Sequence, residues 1–348
     1  MAYPNDNRNI DQDPNASERK KDHIDLAFKS IVSPSEIDTR FYYEPMLSGH
    51  PKDSNHIESQ FDGKLLKAPL WVSSMTGGTA KAKTINENLA KACGEYKLGM
   101  GLGSCRQLLF SDEYLKDFQV RKWTHQQPLY ANLGIAQIET LVNDKKLHLI
   151  IELIDKLDAD GLIIHVNPMQ EWLQPEGDRY YQSPVETIEK VLHSIDIKII
   201  VKEVGQGFGP ESLEALLRLP LIAVDFGASG GTNFALLEIL RSSSPMFVEN
   251  FKPLVQLGHS AQEMVEIANK INTKLAAQRQ CRQLIISGGI ADFLDGYFLT
   301  EKSEIPAIYA QASGFLKYAM DSYEVLQQYV TAQINGLSLS KAFLKIKY

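Results

Sequence analysis

Short apolar runs recur along the chain from residue 68, and each ends in polar or glycine residues before a segment with apolar residues at helical spacing. This alternation is typical of β/α units that build a parallel sheet. The predicted strands are P-L-W-V-S-S-M (69–75), L-G-M-G-L-G-S (98–104), P-L-Y-A-N-L-G (128–134), G-L-I-I-H-V-N (161–167), I-K-I-I-V-K-E-V (197–204), L-I-A-V-D-F-G (221–227), Q-L-I-I-S-G-G (283–289) and A-S-G-F-L-K-Y-A (312–319). Eight such units predict a TIM (β/α)8 barrel over residues 68–348.

The residues before the barrel are predicted to form a tail and an extension. Residues 1–18 are polar and poor in aromatic side chains, which predicts a mobile tail. Residues 19–67 form the N-terminal extension, which opens with R-K-K-D-H (19–23). A basic run of this kind is usually a solvated face, and the alternative is a lid that folds over the barrel mouth and contributes to the active site.

Polar residues follow almost every predicted strand. In a TIM barrel the carboxyl ends of the strands ring the catalytic face, so these positions predict a site there. The segment H-V-N-P-M-Q-E-W-L-Q-P-E-G-D (165–178) is the largest polar burst, and its two prolines exclude a long helix. The other members are Ser74-Met75-Thr76-Gly77-Gly78, Ser104 with Arg106, Asn132, Lys202-Glu203, Asp225 and Ser287-Gly288-Gly289.

Glycine-rich turns recur on this face at residues 76–78, 229–232 and 287–289. Such turns let backbone N–H groups approach an anion, and the helices that follow add their positive ends. Each turn alone is more typical of a tight strand-to-helix connection. Three of them on one face favour a phosphorylated cofactor.

Lys202 lies inside an apolar strand, where an ammonium group is costly without an anionic partner or a lowered pKa. It could be a Schiff-base nucleophile, a counter-charge for a cofactor, or half of an ion pair with Glu203 or Asp225. His165 could be a satisfied core histidine, but its polar neighbours favour a role in the site.

Glu171 and Glu176 lie five residues apart on a proline-bounded loop. One carboxylate together with phosphate oxygens and water is a common way to hold Mg²⁺, and the alternative is two solvated surface acids.

Composition excludes several classes of protein. The net charge of −7 offers no basic surface for nucleic acid, and three distant cysteines predict neither disulfides nor a zinc site. No apolar signal segment is present, and the longest apolar tract is broken by Glu152 and Asp155. We therefore expect a cytoplasmic protein without a membrane anchor.

A set of motifs occurs together in this chain: R-K-x-D-H-I (19–24), S-S-M-T-G-G (73–78), G-S-C-R (103–106), A-N-L-G (131–134), H-V-N-P-M-Q-E with Q-P-E-G-D (165–178), V-K-E-V-G-x-G (201–207), D-x-G-x-x-G-G-T-x-F (225–234) and S-G-G-I (287–290). In this order they resemble the type 2 isopentenyl-diphosphate isomerases, from Arg19 to about Ala319. FMN oxidases of related fold share the glycine turns but lack R-K-x-x-H-I and H-x-N-P-x-Q-E.

The resemblance implies an enzyme of isoprenoid biosynthesis that interconverts isopentenyl and dimethylallyl diphosphate. It implies FMN, reduced by NADPH but not consumed, together with Mg²⁺ and a homo-oligomer, a tetramer or octamer. By matching positions, the catalytic residues would be His165, Gln170 and Lys202, and the metal ligand would be Glu171. Substrate would contact Arg19, Lys20, His23, Ser104, Cys105, Arg106, Asn167 and Gln170. FMN would contact Ser74, Met75, Thr76, Ser104, Asn132, Lys202, Thr232, Gly288, Gly289 and Ile290.

The chain departs from the family pattern at Gly227, where many members carry a hydroxyl residue that contacts the flavin phosphate; Ser229 could supply that contact instead. The stretch after S-G-G-I is also longer and less regular than usual. Three alternatives stay open: an FMN-dependent oxidoreductase of the same fold, a catalytically silent flavin-binding redox sensor, and a Schiff-base aldolase that uses Lys202.

Overall fold

The structure is a computed structural model that describes residues 15–74 and 80–347. The described chain forms two compact units, residues 15–42 with Lys347 and residues 43–346. The predicted tail, residues 1–18, falls outside the described residues as far as residue 14, and helix begins at Ala16.

The strands and helices are as follows. The strands are β1 (Phe41–Tyr43), β2 (Ser59–Phe61), β3 (Lys64–Leu66), β4 (Leu70–Val72), β5 (Gly99–Gly101), β6 (Leu129–Gly134), β7 (Gly161–Val166), β8 (Ile199–Glu203), β9 (Ala223–Asp225), β10 (Gln283–Ser287), β11 (Ala307–Gln311) and β12 (Leu344–Ile346). The α-helices are α1 (Ala16–Leu26), α2 (Ala80–Tyr96), α3 (Leu115–Phe118), α4 (Arg121–Thr124), α5 (Ile135–Asn143), α6 (His148–Leu157), α7 (Pro168–Leu173), α8 (Pro184–Ser194), α9 (Pro210–Leu217), α10 (Phe234–Arg241), α11 (Pro245–Phe251), α12 (Ala261–Leu275), α13 (Phe293–Lys302), α14 (Ser313–Ala319) and α15 (Tyr323–Phe343). Short 3-10 helices lie at Ala27–Lys29, Pro34–Glu36, Asn55–Ile57, Arg106–Leu109, Lys252–Gln256 and Ala276–Gln278.

Strands β4 to β11 form a closed barrel in the order β4-β5-β6-β7-β8-β9-β10-β11, with β11 returning to β4, and the pairs are parallel. Helices separate consecutive strands along the chain. This architecture confirms the predicted TIM barrel, and the first seven barrel strands lie within the predicted segments. Among the described residues, no helix has the length and apolarity that a membrane crossing needs.

The predicted eighth strand, residues 312–319, is wrong. The strand is β11, which directly follows Pro306, and the predicted segment forms helix α14 instead. Within α14 the buried apolar residues Phe315 and Ala319 are four apart, which is helical spacing. Four consecutive residues of β11 are buried, as expected for a strand covered on both faces.

A hairpin of β2 and β3 packs against the amino-terminal end of the barrel. Asp62 and Gly63 form its two-residue turn, and both have positive φ, as the tight turns favoured in hairpins require. Phe61 and Leu66 belong to the same buried cluster as Trp71 and the barrel interior. The other members of this cluster are Tyr130, Ile163, Ile200, Ile222, Ala223, Ile285, Ile308 and Ala310. The amino-terminal end is therefore filled by apolar side chains.

Candidate functional site

A cavity of about 210 Å³ lies at the carboxyl ends of the barrel strands. It is lined by residues that follow β4, β9, β10 and β11 and by Lys202 on β8. Six predicted FMN contacts line it: Ser74, Lys202, Thr232, Gly288, Gly289 and Ile290. Met75 and Thr76 lie outside the described residues.

Two glycine turns form one wall of the cavity. A Cβ atom on Gly230 would lie 2.9 Å from the Gly289 Cα, so the two turns approach each other more closely than side chains allow. Gly288 has a φ of +92°, and a Cβ there would lie 2.0 Å from the Ala228 carbonyl oxygen. The wall is consequently backbone, the kind of surface that receives a phosphate. The buried Ser74 hydroxyl, which finds no hydrogen-bond partner within residues 15–74 and 80–347, adds a polar group beside this wall.

Three ionisable side chains lie side by side across neighbouring strands. His165 on β7 is in register with Lys202 on β8, which is in register with Asp225 on β9. We call these three residues the polar layer. Lys202 is only 8% exposed, and its Nζ lies 3.3 Å from Asp225 Oδ2. Of the partners considered for Lys202, Asp225 therefore forms the ion pair, and the same lysine also reaches the cavity.

Glu203 has a different role from its neighbour Lys202. Its Oε2 accepts hydrogen bonds from the backbone amides of residues 205–207 at 2.6–2.8 Å. Burial raises the pKa of this carboxyl, while the three amides oppose that rise. Glu203 therefore shapes the turn that follows β8.

Gly227 occupies a place where no side chain fits. Its φ is +51°, and a Cβ would lie 1.9 Å from the Glu203 carbonyl oxygen. Its amide donates to Ser287 Oγ at 2.8 Å, and Ser287 in turn donates to Asp225 Oδ1. A hydroxyl side chain at this position would therefore clash with the Glu203 backbone. Ser229, the suggested substitute, makes a long 3.5 Å hydrogen bond to the Gly205 carbonyl.

His165 is a neutral imidazole in this environment. Burial, followed by the positive charge of Lys202, lowers its pKa from 6.5 to about 4. The Asn132 amide nitrogen donates to the Leu102 carbonyl at 3.0 Å, so its oxygen faces His165 Nδ1 at 2.7 Å. Nδ1 therefore carries the hydrogen and Nε2 remains an acceptor. Asn132, a predicted FMN contact, is thus the partner of His165.

The segment after β7 starts helix α7 with Asn167 at its N-cap position and Pro168 as its first residue. The buried Asn167 side chain donates to Gln170 Oε1 at 3.0 Å and to Glu171 Oε1 at 3.1 Å. Its own oxygen is buried with no hydrogen-bond partner among the described residues. Three of the residues predicted from the polar burst, Asn167, Gln170 and Glu171, are therefore brought together, with one unsatisfied acceptor among them.

Glu171 and Glu176 differ sharply in their surroundings. Glu171 is buried, and its Oε2 accepts from the backbone amide of Asp178 at 2.7 Å. Glu176 is exposed and pairs with Arg241 at 2.9 Å, which lowers the pKa of its carboxyl. Within residues 15–74 and 80–347 no group of three or more His, Cys, Asp or Glu side chains could hold a metal. A metal near Glu171 would therefore rely on substrate oxygens and water for its remaining ligands.

Glu238 on α10 is a further acidic residue near the site that the strand-end pattern of the sequence does not indicate. This carboxylate is buried, lies 3.4 Å from Gln170 Nε2 and pairs with Arg241 at 2.6 Å. The feature of the sequence that indicates Glu238 is an acidic residue at a core-facing helical position, since Ala235 and Ile239 on the same helix are buried. Glu238 joins the Gln170 side of the site.

Of the predicted substrate contacts after β5, Ser104 and Arg106 are exposed, while Cys105 is fully buried. The Cys105 thiol donates to the Gly103 carbonyl, and burial raises its pKa to about 12. Arg106 pairs with Asp178 at 2.7 Å, and Asp178 also accepts from Gln137 at 2.8 Å. The predicted basic contacts Arg19, Lys20 and His23 lie within two turns of helix α1, in the unit of residues 15–42.

Known proteins resemble the chain in sequence and in fold. It is 32% identical over 327 residues to an isopentenyl-diphosphate delta-isomerase of Rickettsia peacockii, covering 93% of this chain and 92% of that protein. A protein of the same name from Rickettsia felis is 31% identical over 337 residues, covering 96% and 93%. No protein-family model matches.

Among solved structures, a mandelate oxidase variant with a monooxide FMN adduct superposes with a TM-score of 0.55 at 12% identity, covering 88% of each chain. A flavocytochrome b2 variant with sulfite bound superposes with a TM-score of 0.57 at 13% identity, covering 86% of this chain and 71% of the other. At these identities the likeness concerns the fold alone.

Proposed function

The chain belongs to the isopentenyl-diphosphate delta-isomerase family, and on this premise we propose that it interconverts isopentenyl and dimethylallyl diphosphate with FMN as its cofactor. The observation that carries the proposal is the cavity in which a buried lysine faces two glycine turns. A cationic side chain and exposed backbone amides suit a cofactor that bears a phosphate and an electron-rich ring.

The residues present fit FMN. Ser74, with its unpartnered hydroxyl, and the glycine turns with Thr232 would hold the cofactor, and Lys202 would lie beside its ring. Met75, Thr76, Asn132, Ser104 and Ile290 complete the proposed contacts. When bound and reduced by NADPH, FMN supplies acid and base chemistry that the protein side chains do not offer.

Moving the double bond requires a proton to be added at one carbon and another to be removed two carbons away. The chain's contribution is to orient the alkene and to exclude water, since water would trap a cationic species. His165 contributes a neutral ring whose Nε2 can accept a hydrogen bond, and its Nδ1 is fixed by Asn132. Gln170, held by Asn167, and the charge of Lys202 complete the proposed catalytic set.

In this proposal the enzyme binds its substrate through the diphosphate group. Glu171 would ligate Mg²⁺ together with diphosphate oxygens, and its orientation is set by hydrogen bonds from Asn167 and Asp178. The proposed diphosphate contacts are Arg19, Lys20, His23, Ser104 and Arg106, and Cys105 and Asn167 are further proposed substrate contacts. Binding energy from this non-reacting end aligns the alkene. We further propose that the enzyme works in the cytoplasm as a homo-oligomer.

An anaerobic assay with omissions tests this function. Purified protein with FMN, Mg²⁺, NADPH and isopentenyl diphosphate should form dimethylallyl diphosphate, and leaving out FMN, NADPH or Mg²⁺ should each abolish product formation. Product that forms equally without FMN, or no product with all components present, would contradict the proposal.

A further inference from the structure

Asp225 is the least accessible member of the polar layer and has an incomplete set of partners. It is fully buried, and its Oδ1 accepts the Ser287 hydroxyl. Its Oδ2 makes an ion-pair contact with Lys202 Nζ at 3.3 Å, and this oxygen accepts no hydrogen bond from the part of the chain that the structure describes. A buried carboxylate oxygen in this state depends on the nearby cation for its stability.

Lys202 in turn depends on Asp225. It lies inside an apolar strand, and its other ionisable neighbours, His165 and Glu203, offset its positive charge less well than Asp225 does. His165 is neutral, and Glu203 Oε2 is engaged by three backbone amides. Asp225 is therefore the carboxylate in direct contact with the lysine that lines the cavity.

The register between β8 and β9 places Lys202 next to Asp225 at the cavity wall. Lys202 and Asp225 are direct partners on adjacent strands, so their side chains project at the same level of the barrel. Ser287 lies on β10, the strand on the other side of β9. Its hydroxyl donates a hydrogen bond to the Asp225 carboxylate and accepts one from the Gly227 amide. This chain of contacts links the charge of Lys202 to the glycine turn after β9.

We propose that Asp225 is a positioning residue that holds Lys202 at the cavity wall and, by offsetting its charge, sets the reduction potential of the bound flavin. The inference rests on the proposed use of FMN. Two charges of opposite sign lie side by side, so their removal must shift the potential in opposite directions. Loss of the carboxylate leaves more positive charge for the anionic reduced flavin, and loss of the ammonium leaves less.

The test is the midpoint potential of bound FMN, measured by anaerobic reduction against reference dyes in wild type, Asp225→Asn and Lys202→Met. Asp225→Asn should favour reduced over oxidised FMN by about tenfold, a rise of about 30 mV for a two-electron couple. Lys202→Met should shift the same ratio about tenfold the other way. A merely structural ion pair would lower the melting temperature in both variants and leave the potential unchanged.

An unshifted or lowered potential in Asp225→Asn would overturn the proposal. If that variant fails to fold or to bind FMN, Ser287→Ala keeps the carboxylate but removes a donor that stabilises its charge. Its potential should fall, and an unchanged potential would overturn the proposal equally. Wild type that binds no FMN would overturn the proposed function itself, whereas wild type that binds FMN and isomerises the substrate confines any failure to the role of Asp225.

Discussion

The two ends of the barrel differ in how their buried carboxylates are paired. At the amino end the hairpin inserts Phe61, and its turn residue Asp62 accepts hydrogen bonds from Tyr130 and Lys198, both at 2.8 Å. Nearby, Asp160 accepts from Arg121 and from the Leu129 amide at 2.9 Å and pairs with Lys64. The charges of Asp62 and Asp160 are thus matched within the protein.

At the carboxyl end the buried polar groups are not all paired within the protein in this way. Ser74 Oγ, Asn167 Oδ1 and Asp225 Oδ2 are buried there with no hydrogen-bond partner among the described residues, and Ser74 lies beside the wall of glycine backbone. At the amino end two neutral groups, Trp71 Nε1 and Gln127 Oε1, are in the same state, whereas at the carboxyl end one of the three is a carboxylate oxygen. Leaving such groups unsatisfied costs stability, which a bound ligand can restore. The comparison indicates that the amino end stabilises the barrel, whereas the carboxyl end is built to bind. The predictions below test this separation.

The largest expected effect concerns the amino end. Phe61 is fully buried, so Phe61→Ala should lower the free energy of unfolding by about 3–5 kcal/mol, because it removes apolar contacts and leaves a cavity. Denaturant unfolding measures this change, and FMN affinity of the folded variant should match wild type. Phe110, which is 76% exposed, is the matched control, and Phe110→Ala should change stability by less than about 0.5 kcal/mol. Loss of FMN affinity in Phe61→Ala would show that the two ends are coupled.

The next effect concerns the half-buried imidazole at the carboxyl end. The pKa of His165 is about 4 in the folded protein against an ordinary 6.5, so between these values the unfolded chain binds more protons. The free energy of unfolding should therefore fall as the pH falls from 6.5 to 4, by up to about 3 kcal/mol from this residue. Unfolding measured across this window in His165→Gln should show a shallower pH dependence than wild type. The control is His193→Gln, at an exposed histidine. Equal slopes of unfolding free energy against pH for wild type and His165→Gln would contradict the low pKa of His165.

The smallest effect concerns the proposed metal ligand. Glu171→Gln should keep FMN bound but raise the Mg²⁺ concentration for half-maximal activity by about tenfold, since a neutral amide replaces a charged ligand. Glu176→Gln is the control, because that exposed carboxylate pairs with Arg241, and it should leave the requirement near wild type. Titration of activity against Mg²⁺ gives both values. A shift in the control alone would move the metal site to Glu176.

Much of this arrangement could be predicted from the sequence, because apolar runs that end in polar residues mark the strands and their functional ends together. The eighth strand was misplaced because Phe315 and Ala319 belong to a short apolar helix whose composition resembles that of a strand. Glu238 was missed because it lies within a helical pattern remote in sequence from Gln170. The partner of Lys202 stayed open because only the strand register shows which residue lies opposite it.

The most direct test of the central claim is the ratio of NADPH oxidised to dimethylallyl diphosphate formed, measured anaerobically over many turnovers. The isomerisation is redox-neutral, so after the flavin is reduced once, product should accumulate with far less than one NADPH oxidised per molecule. One NADPH oxidised per substrate molecule consumed, with its two electrons found in a reduced product, would contradict the isomerase and identify an oxidoreductase on the same barrel.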